Sequence, residues 1–204
     1  MGRDGDVIVT ELHGRFYEQT FRGAVFSGGM TGTSINNATF TTATLGATAT
    51  PIIGLWNPLS NNVNLVVLQL NLQIFLTALT ATGPGAFMWC TSVGNSAIST
   101  GNNPFNRKTF LASGSNAKDM SGVALTGLTN NLVVRGAAPV AGGSLYNISN
   151  IATAAGFATT MQGQAEFTEG AWQIPPGGVL ALLCTTTPVA HSAACGIVWE
   201  EVPV

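Results

Sequence analysis

Charge is the scarcest property of this 204-residue chain: Asp, Glu, Lys and Arg make up 8% of it, against about a quarter in ordinary soluble domains. Monomers keep one another apart with surfaces that are about 25–35% charged, so so neutral a chain fits a subunit held against other subunits. Seven basic and nine acidic residues leave a net charge of −2 and no basic footprint for DNA or RNA. Histidine is almost missing as well. His13 and His191 cannot assemble the three or four ligands that a metal site needs, so no metal site is expected. Between Glu18 and Glu166 the sole carboxylate is Asp119. A glycosidase pair, two carboxyls about 5–9.5 Å apart, would have to come from the two chain ends or from Glu166/Glu169 and Glu200/Glu201. Neither lysine follows a glycine, and no G-x-S-x-G or G-x-G-x-x-G is present. These gaps leave no catalytic residue to name and no cofactor to expect, and the chain reads as something other than an enzyme.

Long apolar runs are lacking too, because Asn and Gln interrupt them short of the ~18–20 residues that cross a bilayer. No membrane partner is expected. The opening MGRDGDVIVT carries acids where a secretory signal has its apolar core, so synthesis in a cytosol is the expectation. The three cysteines, Cys90, Cys184 and Cys195, are odd in number and lack CxxC spacing, which makes buried free thiols the default. If 179–187 and 195–202 form a hairpin turning near His191, Cys184 lies opposite about residue 198 and away from Cys195.

What the chain does have is alternation. From Val66 to Leu76 every even position is aliphatic while Gln69, Asn71 and Gln73 stand between, a period of two that predicts a strand with one buried face. Phe87 and Trp89 on one side and Met88 and Cys90 on the other predict a strand covered on both faces. Strands are also expected around 38 to 45, at IIGLW, and as two short pieces within 123 to 135. At the end, Glu166 to Trp172, a Pro175-Pro176-Gly177-Gly178 corner, VLALLC and Cys195 to Val202 read as strand, turn, strand, loop, strand. Acids on both faces of that last strand predict an edge or rim position. With eight to ten strands, no helix and no βαβ alternation, the fold class is all-β: a single β-sandwich over 23–204, in jelly-roll form, preceded by an N-terminal arm or first strand over 1–22.

Two stretches are candidates for partner binding. The first 22 residues hold seven of the sixteen charged side chains, and within them HGRFYEQTFRG sets Arg15 and Arg22 among Phe16, Tyr17 and Phe21, residue types enriched in interface anchors. Residues 94 to 118 form a long connection without a pattern of its own, and there Arg107 and Lys108, the one adjacent basic pair, are flanked by Phe105 and Phe110. Arg15, Phe16, Tyr17, Arg22, Arg107 and Lys108 are therefore the partner-binding candidates.

The segments HGRFYEQTFRG, LWNPLSNNVNLVVLQL, IPPGGVLALL and IVWEEVP, in that order, resemble small β-sandwich structural proteins of tailed bacteriophage particles, in particular the head-decoration or cement type. The resemblance implies a jelly-roll subunit that forms a homotrimer on the capsid exterior and contacts the major capsid protein. A receptor- or carbohydrate-binding module of a phage tail or fibre is the alternative, with Trp56, Trp89 or Trp172 stacking on sugar rings. A depolymerase would be a third class and would have to use Glu166 or Glu200.

Overall fold

A computed structural model describes residues 16–32, 44–45, 51–76, 87–98, 101–112, 114–137, 164–184 and 191–204. The expectations for 38–43 and for the carriers Arg15 and His13 lie outside them. The alternating stretch is β4 (Val63–Leu76), which pairs antiparallel with β11 (His191–Pro203) on one side and β9 (Gln164–Ile174) on the other. Its parity differs from the expected one in its first half. Leu65, Val67, Leu70 and Leu72 face the core, whereas Val66 and Leu68 lie on the opposite face. The cause is a β-bulge: the consecutive Val198 and Trp199 of β11 pair with Gln69 and Val67, leaving Leu68 as the extra residue, and the pairing with β9 is broken at the same place, where residues 168–171 stand opposite Leu68. One inserted residue exchanges the faces of everything on one side of it.

The five-stranded sheet runs β6 (Phe105–Asn106), β1 (Val25–Gly32), β11, β4, β9. The six-stranded sheet runs β2 (Thr44–Leu45), β8 (Leu132–Ala137), β5 (Phe87–Ser92), β10 (Val179–Cys184), β3 (Ile53–Trp56), β7 (Lys118–Asp119). With the two-residue strands β2, β6 and β7 set aside, the eight main strands pair first with last (β1 with β11), second with seventh (β3 with β10), third with sixth (β4 with β9) and fourth with fifth (β5 with β8), all antiparallel. This nested pairing across two sheets is a jelly roll. Of the two positions expected for the last strand, the edge fails and the rim holds: β11 is a central strand, and its acids sit toward its end. β10 and β11 belong to different sheets and form no hairpin. The 123–135 stretch supplies one strand, β8, instead of two, because Gly122 and Gly127 at positive φ bend the preceding backbone.

Core residues from both sheets meet between them, with Trp199, Phe87, Leu55, Leu180 and Leu182 essentially inaccessible. The continuous apolar run of β10 has a second use: Val179, Ala181 and Leu183 point outward into a separate cluster with Trp56 and Cys90, covered by Met120, Leu125 and Leu128. β5 is likewise covered on both faces, as its sequence predicts. Burial pushes the thiols of Cys90 and Cys195 up to about 12, and both are free. In a Cys184→Ser variant at pH 8, a thiol reagent such as Ellman's is expected to find no reactive sulfur in the native state within minutes and two after unfolding; prompt native reaction would contradict this burial.

Two polar devices hold the loops. Asn57 donates its side-chain N–H to the carbonyls of Val63 (2.8 Å) and Ile174 (3.0 Å) and accepts from Asn61 (2.8 Å). Asn95 does the same work at the neighbouring loops, donating to Ser92 and Gly177 and accepting from the Thr129 and Asn130 N–H groups. Both lie against the Pro-Pro-Gly-Gly corner, where Gly177 takes φ +77°. On another side, the connection between β5 and β8 crosses from one sheet to the other. It adds β6 to β1 and β7 to β3, and between them Asp119, 5% exposed, reaches back to β1. One carboxylate oxygen accepts the Gly29 N–H at 3.1 Å, while the other accepts the Ser121 N–H at 2.9 Å and the Ser121 hydroxyl. A Cβ on Gly28 would stand 2.7 Å from that carboxylate, so only glycine lets it approach.

Candidate functional site

The bulge in β4 prepares a site on the outer face of the five-stranded sheet. Leu68 and Val66, turned outward by it, join Val25 and Val198 in an apolar strip, and half-buried Phe16 packs on that strip. The chain then makes a short helix, α1 (Tyr17–Arg22), the one helix among the described residues, where an arm or strand was expected. Its signals are two i,i+4 pairs and a stop. Tyr17 and Phe21 stack with ring centroids 6.1 Å apart, and Arg22 pairs with Glu18 at 2.8 Å. Such pairs each favour a helix by about 0.2–0.5 kcal/mol. Gly23, at φ +78°, ends the helix and turns the chain into β1.

The long connection meets this helix. Asn106 is the organiser: its amide donates to the Gly23 carbonyl at 2.8 Å, and its side-chain oxygen accepts the Lys108 N–H at 2.9 Å. The Arg107 N–H donates to the Val25 carbonyl at 2.9 Å, tying the loop to β1. Lys108 then places its ammonium 4.9 Å from the centre of the Phe21 ring, a cation–π contact between the two candidate segments. Phe110 sits at φ +58° with 80% of its surface exposed. A bulky residue held in the left-handed region costs about 1–2 kcal/mol and presents an aromatic ring to solvent, an arrangement the fold alone does not require.

These two segments carry five exposed large apolar side chains, Tyr17, Phe21, Phe105, Phe110 and Leu111, half of all those exposed among the described residues. Around them stand Arg22, Arg107 and Lys108. Of the six residues singled out from sequence, Tyr17, Arg22, Arg107 and Lys108 are exposed on this one surface, Phe16 is the half-buried foot beneath it, and Arg15 lies outside the described residues. Asn106 was not among them, and nothing in its local sequence distinguishes it from the chain's many other asparagines.

Glu166 and Glu201 do not converge in the same way. Glu200 and Glu201 are neighbours in β11 and point to opposite faces of the sheet. Burial raises the Glu200 carboxyl above the usual range; burial also raises that of Glu201, against the pull of a hydrogen bond from Ser115. Glu201 is level with Leu65 of β4, and Glu166 is level with Leu70. At about 3.4 Å per residue the two carboxylate-bearing positions are on the order of 15 Å apart along the sheet, beyond the glycosidase range. Among the described residues no three His, Cys, Asp or Glu side chains gather as a metal-holding group. Trp56 and Trp89 are buried, and Trp172 is half-buried with its ring edge-on to Trp89 at 6.3 Å. Comparison with known proteins gave no matching family model, no matching curated protein and no matching solved structure.

Proposed function

We propose that this chain is a virion structural protein, a decoration or cement subunit that binds the outer surface of a capsid and stabilises it through contacts between subunits. The observation that carries this reading is the meeting of α1 with the 105–111 loop. Aromatic and cationic side chains far apart in sequence are held exposed together, and one of them, Phe110, is held there against its backbone preference. In this reading Tyr17, Phe21, Phe105 and Phe110 are the anchors, and Lys108 and Arg107 steer them toward acidic groups at the rim of the partner's surface. The low charge of the chain supports a life spent against neighbours, and jelly rolls are a common architecture of capsid domains. A homotrimer would present three such surfaces at once, so that weak single contacts to the major capsid protein add through effective concentration. The chain would be made in the host cytoplasm and end on the capsid exterior. Glycan binding through stacked tryptophan is the weaker reading, since Trp56 and Trp89 lie in the interior.

The test is a particle-binding assay with shells of the virus that encodes the chain. Phe21→Ala combined with Phe110→Gly is expected to weaken binding at least tenfold. Stability should change little, because Gly relieves the positive φ while adding freedom to the unfolded chain. Unchanged occupancy with intact folding would sink the surface assignment, and absence of the chain from particles would sink the virion reading itself.

A further inference from the structure

Between α1 and the sheet there is a cavity of about 150 Å3. Val25, Leu68 and Val198 form its apolar floor, Phe16 closes one side, and Thr20 and Arg107 stand in the remaining wall. Drug-sized ligands occupy about 300–1,000 Å3, and a dry apolar cavity of about 150 Å3 takes one benzene-sized group. The space therefore matches a single side chain. Its wall is not neutral. Arg107 is the only charged residue lining it, and Gln69, the remaining polar neighbour, already donates its amide to Asn71 at 2.8 Å.

We propose that this cavity is a socket for one apolar side chain of Leu or Phe size on a partner protein, flanked by a carboxylate that engages Arg107. The inference rests on the docking role proposed for this face and names what the partner inserts there. A guanidinium remains charged at any working pH and grips a carboxylate through two parallel N–H groups, while the aliphatic floor accepts only the apolar part. The bulge in β4 is what makes the socket: without it Leu68 would face the core and the floor would be missing. An acidic residue beside an apolar one is thus the recognition element, and a basic residue in that place is rejected by Arg107 and by Lys108 next to it.

Benzoate is the probe, with benzylamine as its counterpart of opposite charge, titrated into the full isotope-labelled chain and followed by backbone amide NMR shifts. Benzoate is expected to bind with a Kd on the order of 1 mM, moving the Val25, Leu68 and Val198 resonances. Benzylamine should bind at least fivefold more weakly. Arg107→Ala should erase that difference. Thr20→Leu, a change that favours the helix, should fill the socket and abolish the binding of both probes. Silent resonances at those three positions, equal affinity for the two probes, or benzoate binding unaltered by Thr20→Leu would each overturn the proposal. The titration needs no particle, so its failure is distinguishable from absence of the chain from shells.

Discussion

Asn57→Ala is expected to lower the free energy of unfolding by about 3 kcal/mol, the sum of three buried side-chain hydrogen bonds at roughly 1 kcal/mol each. The change removes the donors to the Val63 and Ile174 carbonyls and the acceptor for Asn61, the last two of these bonds buried and the first part-buried. Val63 begins β4 and Ile174 ends β9, so one amide joins the ends of two strands to the loop that follows β3. Urea unfolding should show a lower midpoint at unchanged slope. Exposed Asn62→Ala, a few residues away, should shift stability by less than about 0.5 kcal/mol. If the two variants unfold alike, the amide is not what fixes these loops.

The second large effect belongs to Asp119. Asp119→Ala should cost about 2 kcal/mol at pH 7, because it leaves the buried Ser121 N–H and the part-buried Gly29 N–H without their acceptor. It should also remove a pH trend. Burial raises the Asp119 carboxyl above its ordinary value, although the hydrogen bonds from Ser121 and Gly29 pull it down. The folded state therefore binds the proton more tightly than the unfolded one. Stability from this group is full below the unfolded value of about 4 and is lost as pH rises through the folded value. Glu200 and Glu201 are displaced in the same direction. The parent chain is expected to gain stability as pH falls from 7 toward 4, the reverse of ordinary acid unfolding, and Asp119→Asn should flatten that slope. Urea midpoints between pH 4 and 7 measure it; a parent chain that weakens steadily over this range would contradict the assignment.

Much of the framework was legible because burial writes a period into sequence. β3, β5, β10 and the Pro-Pro-Gly-Gly corner lie where their residues predict them, and the absence of βαβ spacing pointed to two packed sheets. The bulge was not legible. Leu65, Val66, Val67 and Leu68 are all aliphatic, so either parity satisfies the alternation, and only pairing with β9 and β11 decides between them. The helix was a different miss. It buries no face, so it carries no apolar stripe, yet Tyr17 with Phe21, Glu18 with Arg22, and the glycine after them were enough to mark it. The partner surface was half legible: composition picked out both of its segments, but their union depends on Asn106 and on β6 joining β1, contacts that bridge about 80 residues.

The crossing that carries β6 and β7 has a consequence for how copies of this chain can associate. It occupies the flank of both sheets on that side, and where β6 stops short, the Asp119 carboxylate takes the Gly29 N–H that a newcomer would need. Lateral growth of the sheets into a fibril is thereby hindered along Phe26–Gly29 of β1 and Leu55–Trp56 of β3. A protein with so little charge to keep its copies apart is guarded on this flank by a single plugged amide and two short stubs of strand.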